Sequence, residues 1–127
     1  MAIRIYYEDT DCGGVVYYAN YLRYFERGRT ELLRERGVSL AGLHERGIVF
    51  AVTKAEVQYL SPCRYGELVI LDTRVSAVTG ATVTFEHTVR KEGADKDAVR
   101  GVVVLASLGP GGRPIRVPEE VKAAAGC

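Results

Sequence analysis

With 127 residues, 47% of them hydrophobic and 26% charged, and a formal net charge of +1, the chain has the make-up of one globular domain with one core. Its Lys and Arg residues are interspersed with Asp and Glu, which excludes the basic footprint of a nucleic-acid binder. Cys12, Cys63 and Cys127 are odd in number, far apart and without C-x-x-C or nearby His spacing, which excludes a zinc site and reads as free thiols in a reducing compartment.

From the N-terminus, Ile3 to Tyr7 is expected to form a short strand, ended by the acidic loop Glu8-Asp9-Thr10-Asp11-Cys12-Gly13-Gly14. The start of the chain has no apolar h-region of a secretory signal, and no run approaches the ~20 apolar residues of a membrane span. The expected location is therefore the cytoplasm, with no transmembrane segment.

From about Tyr18 or Asn20 to Arg36, Tyr21, Phe25, Gly28 and Leu32 recur at helical spacing, with Leu22 and Leu33 widening the stripe. Asn20 is the expected N-cap and Gly37 the left-handed C-terminal cap. Arg23, Arg27, Glu31, Arg34 and Glu35 form the solvated face. Gly28 lowers helix propensity, so a close neighbour is expected there. Ser39 caps a second, shorter helix that ends at Gly47.

Four long strands follow. Ile48 to Leu60 alternates, with Ala55, Val57 and Tyr59 on one face. Glu67 to Val78 and Ala81 to Lys91 form a hairpin about Thr79-Gly80, with Val83, Phe85, His87 and Val89 sharing one face. Val99 to Leu108 is nearly all apolar, which predicts an interior position in the sheet. Pro118 is expected to open a last short helix. The whole of residues 1–127 thus reads as a single α+β domain, one long helix covering a largely antiparallel sheet.

The chemistry concentrates where the acidic loop runs through Gly13 and Gly14 into the long helix. A helix N-terminus offers N–H groups and a positive partial charge to an oxyanion, and Asp11 precedes it. On spacing alone, turn and capping roles are favoured over a catalytic one for Asp9 and Asp11.

Residues Tyr7 to Leu22, followed by Phe25-Glu26-Arg27-Gly28-Arg29, resemble the N-terminal signature of the 4-hydroxybenzoyl-CoA thioesterase family. The similarity is greatest to its YbgC-type, Tol-Pal-associated acyl-CoA thioesterases. It extends through Tyr59, Pro62, Gly66-Glu67, Arg113-Pro114 and Val117-Pro118. The resemblance implies a hot-dog fold, a five-stranded antiparallel sheet wrapped around one long helix, assembled as a homo-oligomer, dimer or tetramer. It implies hydrolysis of an acyl-CoA without a metal or any cofactor beyond the CoA of the substrate, with an acyl carrier protein as a further partner to consider.

Matched position by position, Asp11 is the catalytic carboxylate and the backbone N–H of Tyr18 the group that polarises the thioester carbonyl. Tyr7, Asn20, Ser61 and Pro62 fall where the family lines its cleft, and Glu26 where some relatives contact the acyl group. Many YbgC-type members have His at the position of Tyr18, a change that a backbone role survives.

Asp11 as nucleophile and Asp11 as general base are both open. Cys12, next to Asp11, is a minor alternative nucleophile, because a reactive cysteine needs a nearby base or cationic setting. A hot-dog hydratase and a non-catalytic acyl-CoA or acyl-carrier-protein binding module are the competing functions. His87, which a hydratase dyad would call on, is expected in the core and His44 in solvent. Arg64 and Arg90-Lys91 are candidates for the CoA phosphates.

Overall fold

The computed structural model describes residues 1–126. Five strands, β1 (Ala2–Arg4), β2 (Val49–Tyr59), β3 (Leu68–Val78), β4 (Thr82–Lys91) and β5 (Val99–Leu108), form one sheet in the order β1-β3-β4-β5-β2. Every neighbouring pair is antiparallel. The long helix α1 (Asn20–Glu35) packs on one face, with short helices α2 (Leu40–Glu45) and α3 (Glu119–Ala124) beside it. This is the α+β hot-dog arrangement expected from the sequence.

Strand alternation produces the core. On β4 and β5, Val83, Phe85, His87 and Val89 and then Val99, Val103 and Leu105 turn inward and are buried. They meet Tyr21, Tyr24, Phe25, Gly28, Arg29 and Leu33 of α1. The inward row Val57–Gly101–His87–Thr73 crosses four strands in register.

Two glycines set how closely the helix approaches that row. A Cβ on Gly101 would lie 2.3 Å from the Phe25 ring, and one on Gly28 would lie 2.3 Å from Thr73 Oγ1. Phe25 therefore stacks on His87, with ring centroids 4.4 Å apart and planes 3° from parallel. The close neighbour that Gly28 implied is the β3 side chain pair Leu71 and Thr73.

Several boundaries differ from expectation for identifiable reasons. β1 ends at Arg4, although Ile5 still exchanges hydrogen bonds with Gly66 and Glu67. The carboxylate of Asp9 then accepts from the Tyr6 N–H at 2.8 Å and winds Tyr7–Asp9 into a 3-10 turn instead of more strand. Asn20 is the first helical residue and Ala19 the cap, because the Asn20 amide donates outward to the Asp9 carbonyl. Pro118 precedes α3 as its cap residue rather than starting it. The buried stripe of α1 also runs through Phe25, Arg29 and Leu33, leaving Leu22 exposed. Gly37, at φ 87°, and Ser39, whose hydroxyl accepts from the Gly42 N–H, terminate and start their helices as read. β5 lies between β4 and β2, interior as expected, with Val102 on its outward face open to solvent.

Candidate active site

The loop before α1 is built by backbone hydrogen bonds. Asp11 N–H donates to Val15 O at 2.9 Å, and Gly14 N–H returns to Asp11 O at 3.1 Å. Gly14 at φ 77° closes that turn, a conformation an L side chain rarely adopts. Val16 N–H donates to Cys63 O at 2.8 Å and Val15 bridges Arg64, so the Ser61-to-Gly66 segment clamps the loop from one side.

The two aspartates divide their work. Asp9 is structural: its carboxylate takes Tyr6 N–H, and its carbonyl takes both Tyr17 N–H and the Asn20 amide. Asp11 accepts one bond, from Gly13 N–H to Oδ1 at 2.8 Å, and its Oδ2 has no donor among the described residues. A side chain on Gly13 would sit 3.2 Å from that same Oδ1, so glycine gives the amide its access.

Asp11 opens onto a cavity of about 350 Å³, lined with it by Val15, Tyr18, Tyr21, Tyr59, Ser61 and Pro62. The peptide joining Tyr17 to Tyr18 accepts from Asn20 N–H at 2.9 Å through its carbonyl. Its N–H, that of Tyr18, has no acceptor among the described residues. Polarised at one end and free at the other, at the start of a helix, it is a strong donor for an anionic oxygen. The Tyr59 hydroxyl donates to the Tyr18 carbonyl at 3.1 Å and fixes the next peptide too. Burial pushes the Tyr21 and Tyr59 phenols above their ordinary range, so both stay protonated near neutral pH and neither serves as a base.

Of the residues singled out in the sequence, Asp11, Tyr18, Ser61 and Pro62 line this one cavity. Tyr7, Asn20 and Glu26 are not. Tyr7 projects into solvent and meets the Tyr65 ring edge-on at 5.9 Å. Asn20 ties the loop to the helix. Glu26 lies further along α1 at a second cavity and accepts from Thr30 Oγ1. Cys12 is exposed and does not line the Asp11 cavity. Tyr59 and Tyr21 are the cleft residues that sequence reasoning had not assigned, although Tyr59 shares the inward face of β2 with Ala55 and Val57.

His87 is 1% exposed, as a core histidine should be. Burial, reinforced by Arg29, lowers its pKa to about 3. It makes its hydrogen bonds to Thr73 Oγ1 at 3.0 Å and Arg29 Nη1 at 3.3 Å. Of the candidate CoA-phosphate ligands, Lys91 is engaged with Glu67 at 3.5 Å, while Arg64 flanks the active-site loop.

Comparison with known proteins identifies the family. The family model described as thioesterase-like superfamily matches residues 6–125. The acyl-CoA thioesterase YbgC of Haemophilus influenzae is 39% identical over 123 residues, covering 96% of this chain and 90% of that protein. This chain belongs to the thioesterase-like superfamily, as a YbgC-type member. The family's fold is matched over nearly the whole length by solved structures. The DHNA-CoA thioesterase from Staphylococcus aureus superposes with TM-score 0.92 at 26% identity, over 99% of this chain and 87% of that one. A protein from Aquifex aeolicus gives TM-score 0.92 at 26% identity, over 98% and 97% of the two chains.

Proposed function

We propose that the protein hydrolyses acyl-CoA thioesters to the free acid and CoA, with Asp11 as the reacting carboxylate and the Tyr18 N–H as oxyanion donor. The observation that carries this reading is the single cavity that joins an Asp11 oxygen with no partner to a helix start whose Tyr18 N–H is also free. Membership of the family supports the reaction type.

Two routes use these groups. In the first, Asp11 Oδ2 attacks the thioester carbon, the oxyanion collapses with loss of the CoA thiolate, and water cleaves the resulting mixed anhydride to regenerate Asp11. In the second, Asp11 takes a proton from water as the water attacks, and the departing thiolate receives that proton. Both pass through a tetrahedral oxyanion that Tyr18 N–H meets, at the positive end of α1. Ser61 and Pro62 wall the cleft, Tyr59 holds the Tyr18 carbonyl, and Asn20 and Tyr7 act through the loop's shape. No cofactor takes part in either route. His87, buried and neutral, is not placed to serve a hydratase.

The reading extends to a cytoplasmic homo-oligomer. One edge of β2 is unpaired, and Val52, Tyr59 and Leu60 expose apolar surface there. A second copy, in a dimer or a tetramer of dimers, covers such an edge. An acyl carrier protein would present its thioester at the same mouth. No helix of the described residues is long and apolar enough to cross a membrane.

The test is a hydrolysis panel of short, long and aromatic acyl-CoAs with free-thiol detection, run beside sedimentation. Turnover of at least one acyl-CoA by an oligomer is expected. Binding without turnover across the panel would return the protein to the binding-module reading.

A further inference from the structure

The cavity midway along α1, about 320 Å³ with Arg29 in its lining, shares no residue with the Asp11 cavity. The cations that border the Asp11 cavity belong instead to the tight turn from Arg64 to Glu67. Glu67 N–H donates to Arg64 O at 3.1 Å, Glu67 Oε1 accepts from Arg64 N–H at 2.5 Å, and Gly66 stands at φ 85°. The turn is clamped on both flanks. Tyr65 N–H donates to Gly14 O of the active-site loop at 3.3 Å, and Gly66 N–H donates to Ile5 O, just after β1, at 2.9 Å.

What this rigid turn displays is an aromatic ring between two guanidinium groups. Tyr65 is 61% exposed although its backbone is fixed, and the exposed Tyr7 ring buttresses it edge-on. Arg64, the residue before it, is exposed, and its guanidinium has no acceptor among the described residues; the nearby Glu67 is engaged by the Arg64 N–H and by Lys91. Arg4 reaches in from β1 and holds Nη1 on the carbonyl of Gly66, the residue after it, at 2.8 Å. The turn also adjoins the cavity. Val15, which lines the Asp11 cavity, is directly opposed to Arg64 in an antiparallel bridge, and opposed residues project to one face, so Arg64 leaves the backbone on the cavity side. Pro62, another lining residue, is three residues from Tyr65, at most about 11 Å along the chain.

We propose that this turn docks the nucleotide end of CoA: Tyr65 stacks on the adenine, Arg64 binds the pyrophosphate and Arg4 binds the ribose 3′-phosphate. The proposal rests on the thioesterase reading and assigns the residues that hold the leaving group of that reaction. The order cation, ring, cation matches CoA, whose adenosine lies between two phosphate groups. Arginine presents phosphate with a fork of donors, and a tyrosine ring offers any base a π-face. The pantetheine arm, longer when extended than the stretch from Pro62 to Tyr65, carries the thioester from the turn to Asp11. Arg4 lies on β1, at the opposite edge of the sheet from β2, so a second copy covering β2 leaves it open. Exposed Glu8, next to Tyr7 in the chain, opposes the phosphates, though solvent screens it.

The experiment presents one acyl group on CoA, on 3′-dephospho-CoA and on pantetheine, and measures kcat/KM for each. Wild type should favour the CoA thioester over the pantetheine thioester by about 10–100-fold, through KM, with the dephospho-CoA thioester between them. Arg4→Gln should make CoA and dephospho-CoA equivalent. Arg64→Gln and Tyr65→Ala should each lower kcat/KM for both nucleotide carriers by roughly 3–30-fold. Both should hydrolyse the pantetheine thioester as wild type does, which reports an intact fold and reacting centre. Adenosine 3′,5′-bisphosphate should raise the Tm of wild type and not of Arg64→Gln. Equal kcat/KM on all three carriers in wild type would overturn the proposal and leave the thioesterase reading standing. So would a full nucleotide preference in Arg64→Gln, or its loss in Arg90→Gln instead. Stabilisation by the bisphosphate through Arg64, without hydrolysis of any thioester, would uphold the docking site and remove the catalytic reading. Neither signal would remove both.

Discussion

The two cavities of α1 are nearly equal in size yet built in opposite ways. At the helix start, the groups proposed to react are an exposed carboxylate and a backbone N–H, positioned by a loop whose bonds are almost all main-chain. Midway along, the distinctive group is a buried cation held by side chains of the core: His87, Phe85 and, through His87, Thr73. Loop-built geometry can be altered one side chain at a time with little effect on stability. Core-built geometry cannot, because each member also packs the fold.

This contrast predicts where pH acts most. His87 is neutral in the fold with a pKa near 3, against an ordinary value of 6.5. Between those values the unfolded chain binds the extra proton, so stability rises with pH. The His87 contribution is fully present above about pH 6.5 and is lost progressively as pH falls toward 3, up to roughly 5 kcal/mol in all. Urea denaturation at several pH values should show a shallower slope over this window in His87→Gln than in wild type. Equal slopes would mean that the core around Arg29 accommodates a second charge, and the contrast between the regions would weaken.

A smaller effect is expected from Gly101→Ala. The added Cβ must displace the Phe25 ring and with it the His87 stack, at a cost of about 1–3 kcal/mol. Thermal unfolding measures that loss. An unchanged Tm would show that the helix can lift from β5 more easily than the packing implies.

The smallest effect sharpens the other side of the comparison. If the backbone of Tyr18 acts and its hydroxyl does not, Tyr18→Phe keeps most of the wild-type kcat. A fall beyond about a hundredfold, the scale of an acid–base group, would show that the loop contributes chemistry through this side chain.

The sequence was legible where local rules decide. Strand alternation, the Gly37 and Ser39 caps, the β3–β4 hairpin and the buried His87 all follow from period and turn chemistry. Only resemblance singled out Asp11 in the sequence, since Asp9 two residues earlier has the same local character. What separates them is tertiary: Asp9 is used up by Tyr6, Tyr17 and Asn20. The same competition removed Asn20 from the cap and Tyr7 from the cleft. Arg29 could have been noticed, because it stands four residues from both Phe25 and Leu33 and so falls inside the apolar stripe. Its i,i+3 spacing from Glu26 equally suits an exposed ion pair. Only the path of the sheet beneath α1 turns it inward to His87.

The central claim is that Asp11, and not its neighbour Asp9, carries the reaction, and paired steady-state kinetics of Asp11→Asn and Asp9→Asn test it most directly. Asparagine keeps the size and much of the hydrogen bonding of either residue while removing nucleophilic and basic capacity. With the best acyl-CoA, Asp11→Asn should lose roughly 10²–10⁴ in kcat with substrate binding largely preserved. Asp9→Asn should lose much less. Near wild-type turnover by folded, oligomeric Asp11→Asn would contradict the account.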